Sequence, residues 1–551
     1  MRGHRPWHAE RMGPFDYVIV GAGSAGCVLA HRLSDNGRHR VLLVEAGGSD
    51  RQLRVQVPIG YGLSFHDPRI NWRLHTEPEA ALAGRAGYWP RGKLLGGSSA
   101  INAMVYIRGQ AADYERWREA GNPGWGWDEV LPYFRRMESF AARPDRWRGH
   151  DGPLRISDVS DQVHPLCSHF LRAGEQIGLS HNAGFNGEHA EGVGLYEITM
   201  HGGRRMSSAR AYLHPARARP NLQVLTQARA LRIEFDGRRA VALHIDHRGR
   251  GERIAIGREL ILSAGAVHSP LLLQASGVGP PALLQSLGID VRHALPAVGE
   301  HLQDHLCIDL LYRARVPTLN DELRPWRGRV RAALRYLLTR GGPLSLSVNQ
   351  GGGFVRSRPG LPQPDLQLYF SPLSYTRATP GQRRLMSPDP FPGFLLSAQP
   401  CWPASRGRLQ LRTADPTAAP RIEPNSLAAP QDLQALVDGL RFLRRLAAAP
   451  ALTEIIDAEL QPGPAAQSDA ELEDDVRRRA STVFHPVGTC RMGADAAQAV
   501  VDARLRVHGL QGLRVIDASV FPHITSGNTN APTMMVAEKG ADLVLQDATS
   551  P

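Results

Sequence analysis

Lysine is nearly missing from this chain of 551 residues: Lys93 and Lys539 are the only two, so almost all of its 65 basic residues are arginine. The net charge of +12 raises a nucleic-acid ligand as one explanation. The arginines, however, are scattered, and no RNP-like aromatic motif or zinc-finger spacing accompanies them. So extreme a bias reads as the codon composition of a GC-rich bacterium and the charge as a solvated basic surface, and no nucleic-acid partner is expected. Cysteine is scarce as well. Cys27, Cys167, Cys307, Cys401 and Cys490 are odd in number and contain no CxxC pair. This excludes a disulfide framework and a cysteine zinc site, and it fits a reducing, cytoplasmic setting with no metal. No apolar run is long enough to span a bilayer, and the first residues, MRGHRPWHAERMGPFDY, lack the apolar core of a signal peptide. The remaining composition, 42% hydrophobic and 21% charged, is that of a globular protein too long for one small core.

What is present begins at Phe15. FDYVIV is a short apolar run with β-branched residues, GAGSAG a glycine-rich turn, CVLAHRLSDNG a helix stopped at Asn36-Gly37, and HRVLLVEAG a second buried strand. This is a β-α-β unit and implies a parallel sheet. Gly21, Gly23 and Gly26 make GxGxxG at its turn. The first glycine permits the tight turn, the second lets backbone approach a pyrophosphate, and the third lets helix pack on strand. Phosphates then sit at the helix N-terminus, at Ser24, where free N–H groups favour negative charge. Glu45 ends the second strand at the spacing of an acid that binds a ribose hydroxyl. This unit alone does not separate NAD from FAD.

A second glycine cluster, RGKLLGGSSAIN from Arg91 to Asn102, has the character of a loop that lets a bulky planar ligand lie against bare backbone, which a flavin needs and a nicotinamide does not. With it the chain resembles the glucose–methanol–choline (GMC) family of FAD-dependent alcohol oxidoreductases, in its alcohol- and choline-dehydrogenase-like branch. The resemblance rests on FDYVIVGAGSAGCVLAHRLS, RGKLLGGSSAINAMVYIRG, SAGAVHSPLLLQASGVGP and the C-terminal set FHPVGTCRMG, LRVIDASVFP and GNTNAPTMMVAEKGAD, and it covers nearly the whole chain from Phe15.

The resemblance implies an α/β fold. A Rossmann-like FAD-binding domain is built from separated segments, 14–158, 205–310 and 481–551. An α+β substrate-binding domain with an antiparallel sheet, 159–204 and 311–480, is inserted between them. It implies that Gly21, Gly23, Gly26 and Glu45 hold the ADP half of FAD, and that Leu95, Gly97 and Ser98 lie against its middle. Asn102, Ala103, Met104 and Val105 would approach the isoalloxazine, and Ala230 would touch adenine through its backbone. Asp517, Ala518, Asn530, Pro532 and Thr533 would close the ribitol and pyrimidine side. Members with a covalent flavin carry histidine where this chain has Ile101, so the FAD is expected to be non-covalent.

The same resemblance makes His485 the base that takes the alcohol proton, and Asn528 its partner, which can donate a hydrogen bond to a developing alkoxide but cannot serve as a base. His523 is a rival base near Asp517. His268 is expected to orient backbone and Cys490 to pack. The expected reaction is oxidation of a neutral primary alcohol to the aldehyde, with a quinone, an electron carrier or oxygen as acceptor. Choline oxidation, other flavin chemistry such as decarboxylation or lyase chemistry, and non-catalytic FAD binding are the competing readings. The stretch PDLQLYFSPLSY (364–375) is expected to wall the substrate pocket. In GRVRAALRYLLTRGG, Val330, Ala333, Leu334, Leu337 and Leu338 share one helical face. That face is expected to cover the substrate domain, with peripheral contact to a membrane as the alternative.

Overall fold

Residues 13–143, 145–375 and 388–549 are described by a computed structural model of the chain. FDYVIV forms the strand Phe15–Val20 and VLLVE the strand Val41–Glu45. Both are apolar on two faces, as strands covered from both sides must be. They pair in parallel from Tyr17 opposite Val41 to Val20 opposite Val44, and the helix Ser24–Ser34 is the crossover.

The sheet that grows from this unit has seven strands. Its order is Leu222–Thr226, Val41–Glu45, Phe15–Val20, Arg250–Leu262, Arg239–His247 and Ala228–Asp236, with Leu513–Val515 paired to the end of Arg250–Leu262. Residues 221–262 read in the sequence as a smaller sheet followed by a separate apolar strand. Instead Arg250–Leu262 is one continuous strand of 13 residues. Its first half alternates and closes an antiparallel hairpin with Arg239–His247. Its second half becomes apolar on both faces and runs parallel between Phe15–Val20 and Leu513–Val515. The hairpin is therefore an outgrowth of the main sheet. The helices Ser24–Ser34 and Asn530–Thr549 meet beside this sheet. Ser24 Oγ donates to Asn530 Oδ1 at 2.7 Å, and Arg32 pairs at 2.8 Å with buried Glu538 of the helix Asn530–Thr549.

A second, antiparallel sheet runs Gly351–Val355, Leu366–Ser371, Gly393–Pro400, Leu306–Ala314 and Ile456–Gln461, with Ser481–Thr482 paired to the start of Leu306–Ala314. Its two faces do different work, because side chains alternate along a strand. Leu366, Leu368 and Phe370 join Ile308, Leu310, Phe394 and Leu396 in a core with Leu436, Val437 and Leu440 of the helix Pro430–Ala447. Gln367 and Tyr369 point the other way, toward a cavity between this sheet and the first. PDLQLYFSPLSY is thus a pocket wall, with Tyr369 and Tyr375 both lining that cavity.

The helix Trp326–Thr339 turns a different face inward from the one its sequence suggested. Ala332 and Tyr336 are buried, whereas Val330, Leu334, Leu337 and Leu338 are exposed. Tyr336 fixes this orientation by donating to the Gly203 carbonyl at 2.8 Å. No helix among the described residues is long and apolar enough to cross a membrane.

One steric requirement can be tested directly. A Cβ added at Gly26 would lie 1.8 Å from the carbonyl oxygen of Gly21. Gly26→Ala must therefore push the helix Ser24–Ser34 off the turn, at a cost of about 1–3 kcal/mol or more. The expected outcome is a lowered melting temperature and a purified protein with little bound nucleotide, read by calorimetry and by absorbance.

Candidate active site

A cavity of about 710 Å³ runs from the first glycine turn to the second sheet. It is bounded at one end by Gly21, Gly23, Ser24 and Glu45. Gly97, Ser98, Asn102, Ala103, Met104 and Val105 line its middle, with Ala230, Asp517, Ala518, Asn530 and Thr533 also on its wall and His485 and Asn528 at the far end. Three of the expected residues contribute in another way. Gly26 acts through helix packing. Leu95 is buried in the core, its N–H bound to the Gly48 carbonyl at 2.9 Å. Pro532 is buried within the C-terminal helix.

The architecture suits a long dinucleotide such as FAD. The two glycine loops meet backbone to backbone: a Cβ on Gly97 would lie 2.6 Å from Gly23 Cα. The second loop hangs from the first through Gly96 N–H to the Ala22 carbonyl at 2.7 Å. Glu45 accepts from the N–H groups of Ala22 and Gly47 at 2.9 and 2.7 Å. Burial raises its carboxyl to about 7 against the lowering by those two bonds and by Lys93. A hydroxyl donor from a ribose would stabilise the ionised form in the same direction. Asp517, by contrast, already receives three protein donors. Its carboxylate accepts from Gly265 N–H at 2.8 Å, Ser269 Oγ at 2.5 Å and Ser519 N–H at 2.8 Å. These bonds fix the wall at Asp517 and Ala518.

At the far end the backbone builds the site. Leu306 pairs with Thr482 and Cys307 with Ser481, while Gln303 pairs with Val487. Between these pairs Phe484, His485 and Pro486 face Asp304 alone, so the segment bulges and its ladder is interrupted. Phe484 takes a left-handed φ of 73°. The N–H of His485, which the bulge removes from the ladder, donates to Asp304 Oδ1 at 2.7 Å. The guanidinium of Arg91 donates to the Phe484 carbonyl at 2.6 Å. Burial raises Asp304 to about 6, against the lowering by Thr482, Arg91 and the His485 N–H.

The His485 ring is aimed by its neighbours. His305 Nε2 lies 3.0 Å from the Cys401 carbonyl, which can only accept, so this nitrogen carries the proton. Burial lowers His305 to about 4, so its ring is neutral and Nδ1 holds a lone pair. His485 Nδ1, 3.1 Å away, donates to that lone pair. His485 is itself held well below its ordinary value, first by burial and then by His305 and Arg91. Its Nε2 is therefore unprotonated, and it faces Asn528 Nδ2 at 3.2 Å. The amide is oriented in turn by Gln367 Nε2, which donates to Asn528 Oδ1 at 3.3 Å. The cavity thus receives a basic nitrogen and an N–H donor side by side.

The rival residues lie elsewhere. His523 does not line the cavity, and its carbonyl accepts the Trp117 indole N–H at 2.8 Å. His268 lines the nucleotide end, its ring tilted at 38° to that of Trp72 with centroids 4.3 Å apart, and burial keeps it near 3. It forms wall where a backbone-orienting role was expected. Cys490 packs in the core of the first sheet. Asp304, His305, Gln367 and Arg91 were not singled out in the sequence. Only their pairing across the fold reveals them.

Two family models, both described as GMC oxidoreductase, match residues 15–307 and 403–537. An alcohol dehydrogenase [acceptor] from Pseudomonas putida is 43% identical over 539 residues, covering 97% of this chain and 96% of that protein. A mitochondrial choline dehydrogenase from Mus musculus is 42% identical, covering 96% of this chain and 89% of that one. Among solved structures, pyridoxine 4-oxidase from Mesorbium loti superposes with a TM-score of 0.87 at 32% identity, covering 96% of this chain and 99% of that one. A formate oxidase from Aspergillus oryzae, studied for modification of its FAD, superposes with a TM-score of 0.90 at 26% identity, covering 97% and 99%.

Proposed function

The chain belongs to the GMC oxidoreductase family, and from that premise we propose that it oxidises a primary alcohol to the aldehyde, with His485 as the base, Asn528 as its partner and FAD held without a covalent bond. It is an FAD-dependent oxidoreductase acting on CH–OH donors, with an electron acceptor as second substrate. The observation that carries the residue assignment is the protonation pattern, in which His485 Nε2 is unprotonated and accepts from the Asn528 amide N–H.

When bound, the flavin supplies an acceptor for the hydride that leaves the alcohol carbon. The protein handles the proton. A hydroxyl entering between the two side chains donates to His485 Nε2 and accepts from Asn528 Nδ2–H, so the oxygen is polarised as its proton leaves. His485 takes that proton, while His305 Nδ1 continues to accept from its other nitrogen. Loss of one proton to the base and one hydride from carbon balances the conversion of alcohol to aldehyde.

Tyr61, Phe65, Tyr369, Tyr375 and Phe484 line the cavity with His485. This wall favours an alcohol with an apolar or aryl body. Choline is the second reading, because aromatic faces also receive a quaternary ammonium and Asp309 lies on the same wall. A panel of aliphatic, benzylic and choline-type alcohols separates the two. Non-covalent attachment is supported by Ile101, an aliphatic residue on the cavity wall with no group to bond a flavin ring. A cytoplasmic location is supported by the burial of all five cysteines.

Four outcomes follow from this assignment. Acid precipitation of the purified yellow protein should release its flavin into the supernatant, and colour left in the pellet would mark a covalent bond. His485→Ala should lower kcat by about 10²–10⁴-fold with flavin retained. Because His485 is held below 6.5, its basic form persists as pH falls, and the acid limb of kcat/KM in the unsubstituted enzyme should lie below the ordinary histidine range. His305→Phe removes the acceptor of the Nδ1 proton. It should cut kcat by about 10–100-fold with flavin retained.

A further inference from the structure

Seven large apolar side chains are strongly exposed among the described residues, and five of them, Trp326, Val330, Leu334, Leu337 and Leu338, lie on the single helix Trp326–Thr339. Leu338 is 83% exposed and Leu337 62%. At 100° per residue these five fall within one sector, opposite the side that Ala332 and Tyr336 bury. Arg331 and Arg335 follow on one flank of the sector and Arg329 lies on the other, Arg327 falls near the first edge between Leu334 and Leu338, and all four are exposed. The acidic residues nearby, Asp321 and Glu322, belong to the preceding helix Leu319–Leu323, where Asp321 is engaged with the Thr318 N–H at 2.8 Å. An apolar stripe bordered by arginine, with an indole at its N-terminal end, has the chemistry of a helix lying in the plane of a lipid interface. The chain's net charge of +12 adds a long-range attraction to an anionic surface.

The location links this face to the active site. Beyond the helix, Pro343–Ser345 leads to Val348, whose N–H donates to the Tyr61 hydroxyl at 3.4 Å. Val348 and Tyr61 both line the cavity. The helix Tyr61–Ser64 that carries Tyr61 inward also exposes Leu63 at 71%. We propose that the outward face of Trp326–Thr339 and its arginines are a docking surface for an anionic phospholipid bilayer, which sets the elements around the substrate end of the cavity against the membrane.

Flotation of the FAD-loaded enzyme with vesicles tests this. The enzyme should float with phosphatidylcholine vesicles containing phosphatidylglycerol, less with phosphatidylcholine alone, and less again in high salt, where charge attraction is screened. The triple variant Leu334→Glu, Leu337→Glu, Leu338→Glu should reduce partitioning by roughly tenfold or more. Replacing Arg327, Arg329, Arg331 and Arg335 by glutamine should abolish the preference for phosphatidylglycerol. Flavin content and turnover of a water-soluble alcohol should be unchanged in both, and Leu338→Ser provides a milder variant with a smaller loss. Failure of the unsubstituted enzyme to float, or flotation of the variants at its level, overturns the proposal. So does a dimer, seen by light scattering, that the triple variant converts to monomer, since the face would then belong to a second copy of the chain.

Discussion

The arrangement at the active site depends on one hydrogen-bonded line, from the Cys401 carbonyl through His305 to His485. A carbonyl accepts and never donates, and this fixed polarity propagates. It places a proton on His305 Nε2, a lone pair on His305 Nδ1, a proton on His485 Nδ1 and a lone pair on His485 Nε2. No charge is needed anywhere along the line, which matters because every group in it is buried and an ion there would be costly. The edge-on arrangement of the two rings, 88° between planes, suits such a transfer of direction from one imidazole to the next.

The line works only because His485 is brought to His305 and held off the ladder. The strand pairing of Ser481–Thr482 with the start of Leu306–Ala314 performs the first task, and the bulge at 484–486 performs the second. A bulge leaves a buried N–H without its ladder partner, a deficit of about 1–3 kcal/mol if unmet. Asp304 meets it for His485. Adjacent residues, Asp304 and His305, therefore grip the same histidine, one by its backbone and the other by its ring. Pro486, which cannot donate to a ladder, stands at the end of the bulge, where no donor is required.

This explains what could and could not be read from the sequence. The glycine turn was legible because its constraints are local: Gly21, Gly23, Gly26 and Glu45 lie within one β-α-β unit, and each has a steric or electrostatic reason at fixed spacing. His485 and Asn528 were legible only through resemblance to a family, since nothing near either residue distinguishes it. Asp304 and His305 were not legible. Their roles come from a register between strands some 180 positions apart, which periodicity within a strand does not encode. The helix Trp326–Thr339 illustrates the converse. Its amphipathic stripe was plain, but a stripe states only that one face differs from the other. The Tyr336 hydroxyl decided which face turned inward. The strand Arg250–Leu262 was misread for a related reason: it changes partners midway, and the sequence marks the change only by a loss of alternation.

The second sheet shows how such a site can vary its substrate without losing its chemistry. Leu306–Ala314 begins beside His305, the ring partner of His485, and continues as a strand of the cavity wall, so the wall and the residue that aims His485 share one backbone. Along Leu366–Ser371 the even-numbered residues are committed to the core with Pro430–Ala447, while Gln367 and Tyr369 address the active-site side. Gln367 is tied to Asn528, and Tyr369 donates to Gln367 Oε1 at 2.8 Å. Tyr369 thus stands between two roles, touching the substrate space with its ring and the Asn528-orienting amide with its hydroxyl. Exchange at Ser397 or Tyr375, which line the cavity, reshapes the pocket and leaves that amide in place, whereas exchange at Gln367 releases Asn528, the proposed partner of His485. The alternation of a strand, a property of backbone geometry alone, in this way separates residues committed to the core from residues that face the cavity and hold Asn528.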